Sequence, residues 1–187
     1  MFNKGLSLEQ APPVGVPFRF FLSAPLFGVL ISFIFLFFPF AEVSNQYSPK
    51  AIGTVHLFTL GILSMIIFGA MQQMMPVLAS AIIKKPKLFA NIVHPSLVLG
   101  TLFMSFSFIL ELRFFLHIGV LFLSIAFLTF FTVSIRLLFK VEFLTSTVKA
   151  MRLFSVAGLI TLILGLIIAI SHITLNFSTH YYSFVNM

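Results

Sequence analysis

The residue best suited to chemistry in this chain is His56, which lies inside a long charge-free run from Ala51 to Ile83. That run can cross a lipid bilayer as a helix, which requires about 20 apolar residues. An ionisable side chain in a membrane span is costly to bury, so it is by default a candidate functional residue. Imidazole is a good ligand for haem iron. His56 is therefore either a cofactor ligand or a structural hydrogen-bond donor to a neighbouring helix.

The chain contains no cysteine, so histidine is its only strong nitrogen or sulfur ligand for a metal. By sequence position, His117 and His172 are expected at the same outer level of the membrane as His56, which makes them candidates for a second haem ligand. The alternative for both is a position at the membrane interface without a ligand role. His94 lies closer to the inner edge, where capping or backbone bonding is expected, and His180 lies in an uncharged tail.

Composition fixes the class of protein. Of 187 residues, 60% are hydrophobic, 8% are charged and 27 are phenylalanine, and the mean hydropathy is +1.16. A soluble core cannot bury so much apolar surface. The sequence predicts an all-α, polytopic helix bundle in contact with the lipid bilayer, a single membrane domain of about five transmembrane helices joined by short connections, with spans near 18–40, 51–76, 88–110, 114–135 and 152–172.

Basic residues predict the orientation of these spans. Nine of the 11 lysines and arginines precede the first span or lie in the second and fourth loops, and only Lys50 and Arg113 lie on the other side. The N-terminus is therefore expected in the cytoplasm and the C-terminus outside, in a bacterial inner membrane. No nucleic-acid partner is expected, because the chain offers no soluble basic face.

Several other chemistries are disfavoured by what the spans lack. The four carboxylates fall in loops or at span ends, so no buried acid is expected for an ion-coupled transporter. No hydrolase triad, phosphate-binding loop or HExxH pattern occurs. No two histidines have the spacing on one helix that a di-haem four-helix cytochrome b requires. A haem site would need a different scaffold.

The second span carries two further patterns. Gly53, Gly61 and Gly69 recur every eight residues, which predicts a face that admits either a neighbouring helix or the edge of a porphyrin. Gln72, Gln73 and Pro76 predict that the end of this span bends into the membrane interface before Lys84.

The stretch VHLFTLGILSMIIFGAMQQMMPVL, preceded by APPVGVPFRFFLSAPLFGVL and followed by a short basic loop, resembles the first helices of haem–copper oxidase subunit I. The likeness is greatest to the C-type oxidase and nitric-oxide reductase branch and to smaller oxidase-like membrane proteins of bacteria, and it covers about residues 12–100. In that family the second helix carries an axial histidine of the low-spin haem near its outer end. His56 matches that histidine by motif and depth.

The resemblance implies a haem b protein of respiratory electron transfer or of oxygen or nitrogen-oxide handling. Family members place their other haem and copper ligands on later helices, so turnover by these five spans alone is not expected. Either the chain is part of a longer oxidase-like protein, or the second ligand comes from His117, His172 or a second copy. An additional oxidase-type subunit is a further expected partner. The alternative is a haem-free accessory or assembly protein in which His56 is structural.

Overall fold

The computed structural model describes the backbone of residues 8–175 and the side chains of residues 9–168. Within that part of the chain the structure is helical and contains no strand. After a short 3₁₀ turn at Leu8–Gln10, the elements are α1 (Gly15–Phe37), α2 (Phe40–Ser44), α3 (Pro49–Ala79), α4 (Pro86–Ile109), α5 (Arg113–Leu138) and α6 (Ser146–Leu175). All but α2 are long and apolar enough to span a membrane. The prediction of an all-α bundle of five transmembrane helices is confirmed.

The surfaces of these helices show what surrounds them. In each spanning helix, between 11% and 44% of the most apolar 18-residue stretch is buried within the protein. Large side chains such as Leu36, Leu153 and Ile167 are instead exposed. Apolar surface on this scale requires a lipid solvent, since water would penalise it. The chain is therefore a multi-pass membrane protein.

The short α2 and its flanking turns connect α1 to α3. Ser48 caps α3 by accepting a hydrogen bond from the Ala51 amide at 3.1 Å. The Lys50 ammonium pairs with the Glu42 carboxylate and lies 5.3 Å from the centre of the Phe38 ring. The ion pair ties the start of α3 to α2, and the contact with Phe38 extends to the end of α1.

The helix α3 is irregular in its first half, where Leu57–Leu63 form a π-helical segment between two α-helical parts. It then continues through Pro76 and ends at Ser80, whose backbone is left-handed with φ 51°. Segments of π-helix are rare and often accompany functional sites. The one in α3 begins directly after His56.

Consecutive spanning helices are neighbours: α1 packs on α3, α3 on α4, α4 on α5 and α5 on α6. The centre is aromatic, with Phe68 of α3 stacked on Phe130 of α5 at 3.7 Å between ring centres. Arg152 of α6 donates to the carbonyl oxygens of Leu138 and Val141 at 2.7–3.0 Å. These bonds fasten the first turns of α6 to the end of α5.

Farther along, α6 is largely exposed, for example at Leu164 and Ile167. Its small residues Gly158 and Gly165 face a space bordered by α3, α4 and α5. Because α6 leaves this space unfilled, the bundle contains a cavity in that half.

Candidate functional site

His56 lies about two turns into α3 beyond the Ser48 cap, at the junction with the π-helical segment. Its Nδ1 atom is 2.7 Å from the carbonyl oxygen of Ile52. Since a carbonyl oxygen only accepts hydrogen bonds, Nδ1 carries the proton and Nε2 of the neutral ring keeps its lone pair. The ring stacks on Phe108 of α4, with centres 5.3 Å apart and planes 19° apart. A histidine that donates through one nitrogen and is oriented by packing is the usual form of a metal ligand.

The imidazole of His56 forms part of the wall of a cavity of about 450 Å³. The cavity is bounded by four helices and is partly open towards the surroundings. Among the described residues its lining is mainly apolar, and consists of His56, Leu60, Met104, Val120, Leu123, Ser124, Phe127, Phe131, Gly158, Thr161, Leu162, Gly165 and Leu166. Cavities of 300–1,000 Å³ with few polar groups are typical of small-molecule sites.

The few polar groups in this wall are already bonded, except one. Ser124 donates to the Val120 carbonyl at 2.6 Å, and Thr161 donates to the Ala157 carbonyl at 2.9 Å. Nε2 of His56 has no hydrogen-bond partner among the residues that the structure describes. The cavity therefore offers a single strong nitrogen ligand in an apolar wall.

Two glycines of α6 set the width of the cavity. A side chain at Gly158 would collide with the Phe131 ring, so α6 can approach α5 closely there only without one. At Gly165, a Cβ would meet no atom within 4 Å. The cavity is open beside Gly165 because no side chain occupies it.

The structure separates His117 from this cavity. Its side chain is exposed, and its Nδ1 lies 3.0 Å from the Arg113 carbonyl oxygen. His117 precedes the lining residues Val120 and Ser124 by three and seven positions, so it shares their face of α5 nearer the helix start. Among the described residues, however, His117 is not part of the cavity lining.

The other predicted candidate, His172, belongs to α6 by its backbone, two turns beyond Gly165. Its side chain lies outside the described residues, as does the whole of His180. Within the described ranges no group of three or more His, Cys, Asp or Glu residues that could hold a metal ion occurs. The described lining thus supplies no second nitrogen ligand beside His56, and its one thioether is that of Met104.

His94 has a structural role in the opposite half of the bundle. Its Nε2 lies 2.8 Å from the Ser23 hydroxyl, which itself donates to the Arg19 carbonyl at 2.9 Å, so His94 is the donor. Arg19 also donates to Asn91 at 2.6 Å. These bonds join α1 to α4. The sequence predicted capping or backbone bonding for His94, and the structure shows a hydrogen bond with the Arg19 backbone together with the contact to the Ser23 side chain.

The three glycines of α3 face protein rather than the cavity. A side chain at Gly61 would collide with Phe27 of α1, and one at Gly69 would approach Pro17 and Phe20 at 3.1 Å. Of the two roles proposed for this face, the structure shows contact with neighbouring helices.

No family model matches this chain, and comparison with curated proteins and with solved structures gives no significant match. The fold and site define the chain as a five-helix membrane protein with His56 at an apolar cavity.

Proposed function

We propose that this protein binds haem b in the cavity beside His56 and serves in respiratory electron transfer or in oxygen or nitrogen-oxide handling. The observation that carries the proposal is the state of the His56 ring. Ile52 holds Nδ1 as a donor at 2.7 Å, which leaves Nε2 free as a ligand at the cavity wall. Haem bound there would supply a one-electron redox centre.

The residues around the cavity suit a flat, apolar macrocycle. Phe127, Phe131 and Met104 offer aromatic and thioether surface, and Gly165 leaves room beside them. Arg113 lies seven residues, or about two turns, before the lining residue Val120 and therefore on the same face of α5. This places a positive charge near the opening of the cavity. The Arg113 side chain is exposed and has no ion-pair partner within the described part of the chain. It is available to a carboxylate of the bound group.

The source of a second haem ligand is also part of the proposal. His172 lies on the helix that closes the cavity, and His117 lies one turn from its lining. A second copy, an oxidase-type subunit or further helices are the other sources. We place the protein in the bacterial inner membrane with its N-terminus in the cytoplasm, on the strength of the basic loops. We assign no turnover to this chain by itself.

One observation favours the second candidate function, a haem-free accessory or assembly protein. The Ile52 hydrogen bond and the Phe108 stack are both satisfied without a cofactor. In that case the cavity holds part of a lipid chain or of a partner helix.

Colour separates the two functions. The full chain, purified in mild detergent from haem-replete cells, is expected to show a Soret band. Its pyridine haemochrome spectrum should be that of haem b, with about one haem per protein chain. Protein that stays colourless, and that gives no Soret shift when titrated with haem b, would contradict haem binding and leave the accessory role.

A further inference from the structure

A second cavity lies at the opposite end of α3 from His56. It has a volume of about 240 Å³ and is formed where the segment before α1 meets the end of α3 and the loop that follows. Its lining consists of Gln10, Ala11, Pro12, Pro13, Val16, Gln72, Pro76, Ile82, Ile83 and Pro86. None of these residues contributes to the histidine cavity, so this is a separate site.

Two glutamines, Gln10 and Gln72, are the polar side chains among the lining residues of this second cavity. Gln72, predicted at the interface, is fully buried, and its Nε2 donates to the Phe68 carbonyl at 3.2 Å. That bond fixes the orientation of the amide, because a carbonyl accepts only from the nitrogen. The Oε1 atoms of Gln72 and Gln10 are both buried and lack a hydrogen-bond partner in the described part of the protein.

The lining is poor in hydrogen-bond donors for these oxygens. Four of its ten residues are prolines without an N–H group, and the Val16 amide already donates to the Pro13 carbonyl at 2.8 Å. Apart from the two glutamines, the lining side chains are apolar. A buried acceptor without a donor is costly. The complementary ligand must therefore donate hydrogen bonds, which excludes groups that only accept.

The rim of the cavity is positive. Lys84 follows Ile83, and Lys85 and Lys87 flank Pro86, so three exposed ammonium groups border the lining residues. None has an ion-pair partner within the described residues. Glu9 is exposed and does not line the cavity. An anionic group at the rim would be favoured.

We propose that this cavity binds a hydroxyl-bearing phosphate group of the kind found in the glycerol head of phosphatidylglycerol. The head hydroxyls donate to Gln10 and Gln72, and the phosphate lies among the three lysines. The volume equals that of about eight liquid water molecules at ~30 Å³ each, which admits a three-carbon head and excludes a macrocycle. The same chemistry is present in free glycerol phosphate, and the experiment below distinguishes the two sources.

The test compares two anionic lipids of equal charge, phosphatidylglycerol and phosphatidylmethanol, which lacks head hydroxyls. The full chain is equilibrated with both lipids, and the retained lipid is counted by native mass spectrometry. Wild-type protein is expected to prefer phosphatidylglycerol about tenfold, which corresponds to about 1.4 kcal/mol, because it forms two additional hydrogen bonds. Gln72→Leu should remove the preference, and Gln73→Leu, at an exposed neighbouring position, should retain it.

Gln10→Leu, in the chain segment outside the spans, repeats the test independently of the packing of α3. Replacing Lys84, Lys85 and Lys87 by glutamine should weaken binding of both lipids equally. Thermal stabilisation of the wild type by soluble glycerol 3-phosphate in phosphatidylcholine nanodiscs, lost in Gln72→Leu, would assign the site to the free compound. Equal retention of both lipids by the wild type, with no effect of glycerol phosphate, would overturn the proposal and leave water as the partner of the amides.

Discussion

The Nδ1 atom of His56 lies 2.7 Å from the carbonyl oxygen of Ile52, one turn earlier in the same helix. Because Nδ1 carries the proton of the neutral ring, Nε2 keeps its lone pair and can act as a metal ligand. Stacking on Phe108 restrains the ring in addition. The free Nε2 atom and the adjoining cavity of about 450 Å³ are the two features on which the proposed haem site rests.

The glycine face of α3 should contribute to stability and leave the cavity unaffected. Gly61→Ala places a Cβ against the Phe27 ring, and we expect destabilisation of about 1–3 kcal/mol from overpacking. Gly69→Leu should act in the same direction against Pro17 and Phe20. Thermal unfolding in detergent measures the effect.

Gly28→Ala is the matched control, because its Cβ would meet only Ile62, at 3.8 Å. Its melting temperature should equal that of the wild type, and bound haem per folded protein should be unchanged in all three variants. Unchanged melting of Gly61→Ala would show that this face of α3 does not pack against α1.

Filling the cavity should reduce haem binding at little cost in stability. Gly165→Leu adds a side chain where a Cβ would meet no neighbour within 4 Å. We expect bound haem to fall at least about tenfold, the effect of losing about 1.4 kcal/mol of binding, with little change in melting temperature. Absorbance titration with haem b measures the affinity.

The exposed position Leu164 on the same helix supplies the comparison. Leu164→Phe enlarges an exposed side chain of α6 outside the cavity lining, so its haem affinity should match the wild type. Equal affinities for Gly165→Leu and the wild type would place the cofactor elsewhere.

The membrane orientation can be tested independently of any cofactor. Nine of 11 basic residues on one side predict a cytoplasmic N-terminus. A reporter fused after Lys87 should be active in the cytoplasm, and one fused after Met187 should be active outside. The reverse pattern would invert the depth of every histidine.

The sequence predicted the five membrane-spanning helices, but not which face of each helix contacts its neighbours. The length of the apolar stretches alone predicts five helices, because a stretch of about 20 apolar residues is stable in the bilayer whichever helices it packs against. The eight-residue spacing of glycines assumed a regular helix from Gly53 to Gly69. The π-helical segment Leu57–Leu63 interrupts that period, so Gly53 faces Ser105 and Ile109 of α4 while Gly61 faces α1.

The environment of individual polar residues was also hidden from the sequence. Gln72 is polar and close to a lysine-rich loop, which favours an interfacial position, yet the segment before α1 folds over it and buries it fully. The histidine cavity likewise depends on how far α6 stands from α3 and α5. Such distances arise from packing among several helices, which no local pattern encodes.

The most direct test of the central claim is the absorption spectrum of His56→Ala beside that of His94→Ala. Both variants remove one imidazole from a spanning helix, but only His56 lines the cavity, whereas His94 bonds to Ser23 on the other side of the bundle. The account predicts that His56→Ala loses or shifts the Soret band, and that His94→Ala retains the wild-type spectrum per folded protein. A wild-type spectrum in His56→Ala would contradict ligation by this residue.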